Sequence, residues 1–283
     1  MKINFTKMHG IGNDYVYVDG FKQNIPNPNA FSKWISDRHF GIGSDGLVLI
    51  LPSEVADFKM RIFNADGSEA KMCGNATRCI GKFVYEAGYT HSTQITLETL
   101  SGIKYLSLTI KDEQVISVEV DMGKAILSPK EIPVLSDLDQ FVNQPIMIDE
   151  VTYPTTCVSM GNPHAVVFCE DVDHLPLENI GPKFEFNPLF PDRINTEFVQ
   201  IIDKNTVKMR VWERGSGETW ACGTGACAVA VASILNGYCK QGEEIHVILR
   251  GGDLYITYKE DGTVLMKGPA TKVFDGTIEY KEA

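Results

Sequence analysis

Two stretches of the chain carry apolar residues at helical spacing, and each begins just after a Cys-Gly pair. The single stripe that follows the first pair predicts an amphipathic helix with Asn75 as its N-cap and Gly88 as its stop. A second helix is predicted over 225–236, with Thr224 as cap and Gly237 as stop, and its apolar character on nearly all sides predicts burial. The residues of the first stripe, at i, i+3, i+4, i+7, i+8 and i+11, are Ala76, Cys79, Ile80, Phe83, Val84 and Ala87.

The rest of the pattern is made of short runs rich in Val, Ile, Thr and Tyr and bounded by Gly, Asp and Asn, which predict strands. Many runs follow one another with only turns between them, which favours antiparallel pairing over β-α-β crossovers. The predicted strands are 14–18, 47–51, 59–64, 103–110, 115–120, 165–169, 197–202, 206–213, 244–249 and 254–258. A shorter helix is predicted over 29–37, with a weaker counterpart near 177–184.

The chain contains an internal repeat. One ungapped shift of 149 residues aligns separated segments of the two halves, which predicts two similar domains of about 120–140 residues. Each domain is predicted to be a sheet curled around one helix. The shift places Gly12-Asn13 on Gly161-Asn162, Gly46 on Asn195, Arg61-Ile62-Phe63 on Arg210-Val211-Trp212, Glu69 on Glu218, Cys73-Gly74-Asn75 on Cys222-Gly223-Thr224, and Gly88-Tyr89 on Gly237-Tyr238.

Composition and charge exclude several classes of protein. The 283 residues are 43% hydrophobic and 22% charged, as in globular proteins. The net charge of −11 argues against nucleic acid as a partner, because phosphates would be repelled. No apolar segment approaches the ~18 residues of a membrane helix, and the N-terminus lacks the apolar core of a signal peptide. Seven cysteines, an odd number, exclude a full disulfide framework and favour a reducing cytoplasm.

Two of these cysteines are candidates for catalysis, because Cys73 and Cys222 occupy the same repeat position before a predicted helix. The N–H groups of a helix N-terminus carry positive partial charge, so a thiol there should ionise more easily and a substrate carboxylate could bind beside it. If the two halves face each other, one thiol can remove a proton from Cα while the other returns one to the opposite face. We interpret the remaining cysteines as small buried hydrophobes: Cys79, Cys157, Cys169, Cys227 and Cys239.

Metal and nucleotide sites are not expected. Cys73 and Cys79 are six residues apart and Cys222 and Cys227 are five apart; neither spacing places both sulfurs on one helix face, and no paired-His pattern accompanies them. Residues 41–46 match G-x-G-x-x-G by letter. That fingerprint requires a strand before it and a helix after it, whereas the order predicted here is the reverse. No lysine stands in a context that suggests a pyridoxal Schiff base.

At these residues the chain resembles the diaminopimelate epimerase family, the cofactor-independent two-cysteine enzymes of lysine and peptidoglycan precursor synthesis. The segments that carry the resemblance extend from residue 9 to residue 225. They are His9-Gly-Ile-Gly-Asn-Asp-Tyr15, Arg61-Ile-Phe-Asn-Ala-Asp-Gly-Ser-Glu69, Met72-Cys-Gly-Asn75, Gly161-Asn-Pro-His164, Arg193-Ile-Asn-Thr-Glu197 and Glu213-Arg-Gly-Ser-Gly-Glu-Thr-Trp-Ala-Cys-Gly-Thr-Gly225.

The resemblance implies an α+β fold of two pseudo-symmetric domains, each a mainly antiparallel curled sheet or barrel around a central helix, with the site in the cleft between them. It implies lobes at 1–121 plus 270–283 and at 122–269, the last strand near 273–280 joining the first lobe. Cys73 and Cys222 are then the acid–base pair, and His164 and Glu213 tune or orient them. The implied substrate contacts are Asn13, Asn64, Gly74, Asn75, Asn162, Asn195, Glu213, Arg214, Gly223 and Thr224.

The implied reaction interconverts LL- and meso-diaminopimelate in the cytoplasm, with no metal and no organic cofactor. Arg214 and the asparagines suit the distal zwitterion of that substrate, since Arg offers a bidentate fork to a carboxylate. Three alternatives remain open: a proline or hydroxyproline racemase of the same fold, a thiol redox protein that uses Cys73 and Cys222 as a switch, and an amino-acid binding module. The expected partner is a small amino acid rather than nucleic acid or membrane, and a homodimer is one option for the assembly.

Overall fold

Short apolar runs separated by turn residues form most of the strands of the computed structural model, which describes residues 1–281. In chain order the elements are β1 (Lys2–Gly10), β2 (Asn13–Asp19), α1 (Pro28–Ile35), β3 (Gly46–Leu51), β4 (Phe58–Asn64), β5 (Glu69–Ala70), α2 (Gly74–Glu86), β6 (Gln94–Thr99), β7 (Gly102–Lys111), β8 (Gln114–Lys124), β9 (Gln144–Ile148), β10 (Val151–Ser159), β11 (Pro163–Phe168), α3 (Leu177–Glu185), β12 (Asn195–Asp203), β13 (Thr206–Glu213), β14 (Gly217–Thr219), α4 (Gly223–Leu235), β15 (Glu244–Leu249), β16 (Gly252–Tyr258), β17 (Thr263–Gly268) and β18 (Thr271–Glu279).

The chain divides into two units, described separately below. Unit 1 comprises Met1–Val120 and the segment that starts at Lys267; unit 2 comprises Asp121–Met266. The elements of the two units follow the same order, and strand β3 and helix α2 begin 149 residues before β12 and α4. The internal repeat and the predicted α+β class with two pseudo-symmetric, strand-rich halves are therefore confirmed.

In unit 1, β1 pairs antiparallel with both β18 and β2, and antiparallel pairs also join β3 to β4, β6 to β7 and β7 to β8. Helix α2 packs inside this curled sheet. The approach is close at Gly81, where an added Cβ would lie 3.0 Å from Leu108 and 3.1 Å from Leu106. A second core forms on the α1 side, where Phe31 and Ile35 pack among the side chains of β1, β2 and β3.

In unit 2, antiparallel pairs join β9 to β10, β10 to β11, β12 to β13 and β15 to β16. Helix α4 is buried from Gly225 to Ser233, which confirms the burial predicted from its apolar composition. Helix α3 covers a separate core that includes Phe184 and Phe198.

Each unit also contains parallel pairs that the sequence analysis did not expect. β2 pairs parallel with β3 and β4 with β6, and in unit 2 β11 pairs parallel with β12 and β13 with β15. A helix lies in each of these four connections, which gives the chain the length to return to the same end of the sheet. Antiparallel pairing still predominates, so the predicted mainly antiparallel sheet is confirmed, whereas the argument against β-α-β connections is wrong.

The helix N-caps also differ from prediction. The N-caps are Cys73 and Cys222, whose backbones are extended, rather than Asn75 and Thr224. The reason is that the following glycines already adopt helical conformation, so each helix begins one residue after its cysteine. The predicted stops are confirmed, because Gly88 and Gly237 have φ of +75° and +77°, the left-handed conformation that ends helices.

Several strands had not been predicted, among them β1, β9 and β10. Strand β1 contains two lysines and β10 contains a proline, which weaken the apolar pattern on which strand prediction depends. Within residues 1–281, no helix combines the length and the apolar content needed to cross a membrane.

We expect Phe184→Ala to destabilise unit 2. The Phe184 ring is fully buried, and its centroid lies 5.4 Å from that of Tyr153 and 5.6 Å from that of Phe198. Removal of such a ring leaves a cavity that typically costs about 3–5 kcal/mol. Urea denaturation followed by circular dichroism measures the change. Phe186→Ala is the control, because the Phe186 side chain lies two residues away and is 60% exposed. It should lower the free energy of unfolding by less than about 1 kcal/mol. Equal losses of stability in the two variants would contradict the assignment of this core.

Candidate active site

In unit 1 the Cys73 cluster consists of Cys73, Asn13, Asn75, Asp45 and Arg78. The Cys73 thiol donates to Asn13 Oδ1 at 3.4 Å, and Asn75 Nδ2 donates to the same oxygen at 3.4 Å. Asn13 Nδ2 in turn donates to Asp45 Oδ2 at 2.8 Å. Because the amide group of Asn13 is held at its nitrogen by a carboxylate, its oxygen is directed towards the sulfur.

The second half of the Cys73 cluster fixes Asn75. This side chain is buried, and its Oδ1 accepts from Arg78 Nη2 at 2.9 Å. Arg78 is also fully buried, and its Nε donates to the carbonyl of Pro269 at 3.1 Å. Asn75 therefore has a defined orientation at the second residue of α2, beside the buried backbone of Gly74.

Asn64 lies at the same end of the sheet as Asn13, because Gly46 pairs with both Tyr15 and Asn64 in the register of β2, β3 and β4. Its exposed side chain donates to Ser68 Oγ at 3.0 Å. Within residues 1–281, no hydrogen bond joins the Asn64 side chain to the Cys73 cluster.

In unit 2 the Cys222 cluster consists of Cys222, Thr224, Asn162, His164 and Glu197. Cys222 Sγ accepts from the N–H of Gly225 at 3.4 Å, so the sulfur itself caps helix α4. Thr224 Oγ1 lies 3.6 Å from this sulfur and accepts from Asn162 Nδ2 at 3.2 Å. His164 Nε2 lies 3.1 Å from Asn162 Oδ1, and His164 Nδ1 lies 2.7 Å from Glu197 Oε1.

From the sequence we expected Cys222 to ionise more easily because it lies at a helix N-terminus. The structure corrects this expectation. Burial raises the pKa of the Cys222 thiol well above its usual value, and the negative charges of Glu213 and Glu197 raise it further. Hydrogen bonds from Thr224 and from the Gly225 N–H act in the opposite direction but are weaker. Desolvation thus outweighs the helix amides, and the protonated thiol is favoured.

Glu213 and Arg214 follow one another where β13 ends. The half-buried Glu213 carboxylate accepts a hydrogen bond from Thr219 Oγ1. The Arg214 side chain is exposed and donates to the carbonyl of Asp192 at 2.9 Å, while its backbone N–H donates to Asn195 Oδ1 at 3.0 Å. Asn195 Nδ2 donates to the carbonyl of Pro163 at 2.8 Å, so the buried Asn195 supports the turn that carries Arg214.

Two carboxylates were missed by the sequence analysis. Asp45 lies in a Gly-rich loop, where no local pattern distinguishes it from an ordinary turn residue. Glu197 lies in β12 among both polar and apolar residues, so the local sequence does not single it out either. Its side chain is fully buried with that of His164, and buried carboxylates are rare unless they are paired.

The atoms of His164, Glu197 and Cys222 that could bind a metal lie within 4.8 Å of one another, the one such group of three found in residues 1–281. The 2.7 Å between His164 Nδ1 and Glu197 Oε1 is a hydrogen-bonding distance. Two ligands of a tetrahedral zinc ion, each about 2.0–2.1 Å from the metal, would be about 3.3 Å apart. The distance between His164 and Glu197 is therefore that of a hydrogen-bonded pair.

Comparison with known proteins identifies a family. A model of the family described as diaminopimelate epimerase matches residues 5–128 and 156–273. A diaminopimelate epimerase from Methanococcus maripaludis is 61% identical over 278 residues, covering 98% of this chain and all of that protein. One from Acetivibrio thermocellus is 59% identical over 281 residues, covering 99% of this chain and all of that protein.

Solved structures share the fold at much lower identity. A hydroxyproline epimerase from Agrobacterium vitis, solved with bound trans-4-OH-L-proline, superposes with a TM-score of 0.70 at 16% identity, covering 98% of this chain and 91% of its own. A phenazine biosynthesis protein of the PhzF family from Bacillus anthracis has a TM-score of 0.71 at 16% identity, covering 99% and 100% of the two chains.

The environments of Cys73 and Cys79 predict different reactivity. Cys73 is partly exposed, whereas Cys79 is buried and burial raises the pKa of its thiol to about 11. With iodoacetamide at pH 8, Cys79 remains a thiol and is shielded, so we expect Cys73 to react at least about tenfold faster. Arg78 separates the two residues, so trypsin releases them on different peptides for mass spectrometry. Equal rates for the two peptides would contradict the geometry.

Proposed function

Because this chain belongs to the diaminopimelate epimerase family, we propose that it interconverts LL- and meso-diaminopimelate by moving one proton at Cα, with Cys73 and Cys222 as the two acid–base groups. The observation that carries the proposal is that each unit presents a cysteine as the N-cap of its central helix, α2 or α4. The thiolate of one cysteine takes the Cα proton and becomes a thiol, and the thiol of the other donates its proton to the opposite face. Both transfers use side chains of this chain, so the proposed reaction needs no cofactor.

The intermediate of this reaction is a carbanion whose charge spreads into the neighbouring carboxylate. We infer that the N–H groups of the first turns of α2 and α4, at Gly74, Asn75, Gly223 and Thr224, receive that carboxylate, because helix N-termini bind anions. Preorganised donors of this kind contribute about 3–4 kcal/mol each at other sites. General acid–base catalysis gives about 10²–10⁴-fold, so both contributions are needed to reach the acceleration of a typical enzyme.

The distal end of the substrate is itself a zwitterion and needs polar partners. We assign its carboxylate to the exposed guanidinium of Arg214, whose turn is held by Asn195. The amide groups of Asn13, Asn64 and Asn162 are available to the remaining polar groups of the substrate. His164 and Glu213 are proposed to orient and tune the thiols. Free cysteines favour a reducing compartment, which supports the cytoplasm as the proposed location. Sedimentation would test whether the chain works as a homodimer.

Hydrogen exchange at Cα tests the proposal. Diaminopimelate is incubated with the enzyme in D₂O under reducing conditions, and loss of the Cα proton signal is followed by NMR. We expect exchange with diaminopimelate and none with proline. We also expect Cys73→Ala and Cys222→Ala each to reduce the rate of epimerisation by about 10²–10⁴-fold.

A third cysteine supplies the matched control. Cys169 follows β11, is half-buried, and burial raises its pKa to about 11. Cys169→Ala should keep the rate within about twofold. Exchange with proline but not with diaminopimelate would contradict the proposed substrate. Full epimerisation by a chain that lacks both Cys73 and Cys222 would contradict their proposed role as acid–base groups.

A further inference from the structure

The His164–Glu197 pair of unit 2 is more than a packed polar contact. Both side chains are fully buried, with 2.7 Å between Nδ1 and Oε1. Glu197 Oε2 is buried and makes no hydrogen bond to any residue in the described range 1–281. A carboxylate oxygen that is buried without a hydrogen bond destabilises the fold, so stability alone does not account for it.

Each nitrogen of the His164 ring lies within hydrogen-bonding distance of a side-chain oxygen. Asn162 donates through Nδ2 to Thr224 Oγ1 at 3.2 Å, which directs Asn162 Oδ1 towards His164 Nε2 at 3.1 Å. Nε2 therefore faces an acceptor, and Nδ1 faces the Glu197 carboxylate. A neutral imidazole carries only one N–H, so a ring that donates at both nitrogens is an imidazolium.

This pair lies directly beside the sulfur of Cys222. A Cβ added at Gly225 would be 2.6 Å from Glu197 Oε1 and 3.1 Å from Cys222 Sγ, so only glycine allows the carboxylate to come this close to the helix N-terminus. The ligand-type atoms of the three residues lie within 4.8 Å of one another. At such distances, and away from water, a cation interacts strongly with a thiolate.

We propose that Glu197 is a positioning residue that holds His164 as an imidazolium beside Cys222 and so stabilises the thiolate of this cysteine. The inference rests on the proposed function, in which Cys222 must alternate between thiol and thiolate. Burial and the negative charges of Glu213 and Glu197 disfavour the Cys222 thiolate. In the proposal, an imidazolium held by Glu197 offsets both the desolvation and the repulsion. A neutral imidazole would provide no such charge, and without the Glu197 carboxylate the cation itself would be unpaired in the interior.

Ionisable groups reach this cluster from several neighbouring elements. They are Cys157 on β10, His164 on β11, Glu197 on β12, Glu213 at the end of β13, and Cys222 before α4. His164 is the one basic side chain among them. In unit 1 the repeat places Tyr15 and Val48 at the positions of His164 and Glu197. The His–Glu pair is therefore specific to unit 2.

The sign of one measurement tests the proposal. In a Cys73→Ser background, the rate of Cys222 alkylation by iodoacetamide is measured from pH 6 to 11 with mass-spectrometric assignment, a readout that needs no substrate and no turnover. If Glu197 stabilises the thiolate through His164, Glu197→Gln raises the midpoint of the profile by about one pH unit or more. His164→Asn raises it similarly, and the double variant raises it no further, because the two residues act as one unit.

Glu185→Gln is the matched control. Glu185 is another buried carboxylate of unit 2, but it accepts from Trp212 Nε1 at 2.8 Å and from the Gly215 N–H at 2.9 Å rather than lying beside Cys222. Its removal should leave the midpoint unchanged. A midpoint that is unchanged or lowered in Glu197→Gln overturns the proposal; a lowered midpoint would mean that Glu197 acts as an isolated negative charge.

A second measurement reads the protonation of His164 in the parent chain. Among the six histidines, His164 is assigned in ¹⁵N-histidine NMR spectra by its loss in His164→Asn. Both ring nitrogens should be protonated at pH 7.5, and a neutral ring with a single N–H overturns the proposal. Because neither readout requires epimerisation, a failure here is distinct from a failure of the proposed reaction.

Discussion

Placement of a cysteine at the buried N-terminus of a central helix is the constraint on which the site depends in both units. The first N–H groups of a helix have no partner within it and must find one elsewhere. Because α4 is enclosed by its sheet, that partner has to be a side chain or a ligand, and the sulfur of Cys222 accepts from the Gly225 N–H. In the proposed function the neighbouring amides of Gly223 and Thr224 receive the substrate carboxylate, so a group that can exchange a proton lies beside them.

This arrangement sets two effects against each other. Helix amides favour an anionic sulfur, whereas burial disfavours one, and for Cys222 burial and the neighbouring carboxylates prevail. Unit 1 surrounds its sulfur differently, with the Asn13 amide held by the carboxylate of Asp45. The proposed reaction begins with one thiol and one thiolate, so unequal surroundings are a means of setting which sulfur carries the proton before substrate binds.

Much of the fold could be predicted because it is encoded locally or by repetition. The apolar stripe of α2, the glycine stops and the offset of 149 residues are visible in the sequence. The parallel pairs were missed because strand pairing depends on tertiary contacts that a turn count does not reveal. Asp45 and Glu197 were missed for a related reason, since each acts through a side chain far away in sequence, Asn13 for the first and His164 for the second. Residue type alone does not indicate such partners.

The two units share their order of elements but differ in many polar side chains, and position 46 is an example. A Cβ at Gly46 would lie 2.0 Å from the carbonyl oxygen of Phe63, so unit 1 has no space for a side chain there. The repeat-related Asn195 is accommodated in unit 2, where it bonds to the backbone of Pro163 and of Arg214. The support for the Arg214 turn therefore has no counterpart in unit 1. In the proposed function each unit contributes one helix N-terminus, and the two receive the reacting carboxylate of the substrate. Arg214, which is specific to unit 2, binds the carboxylate at the distal end of the substrate.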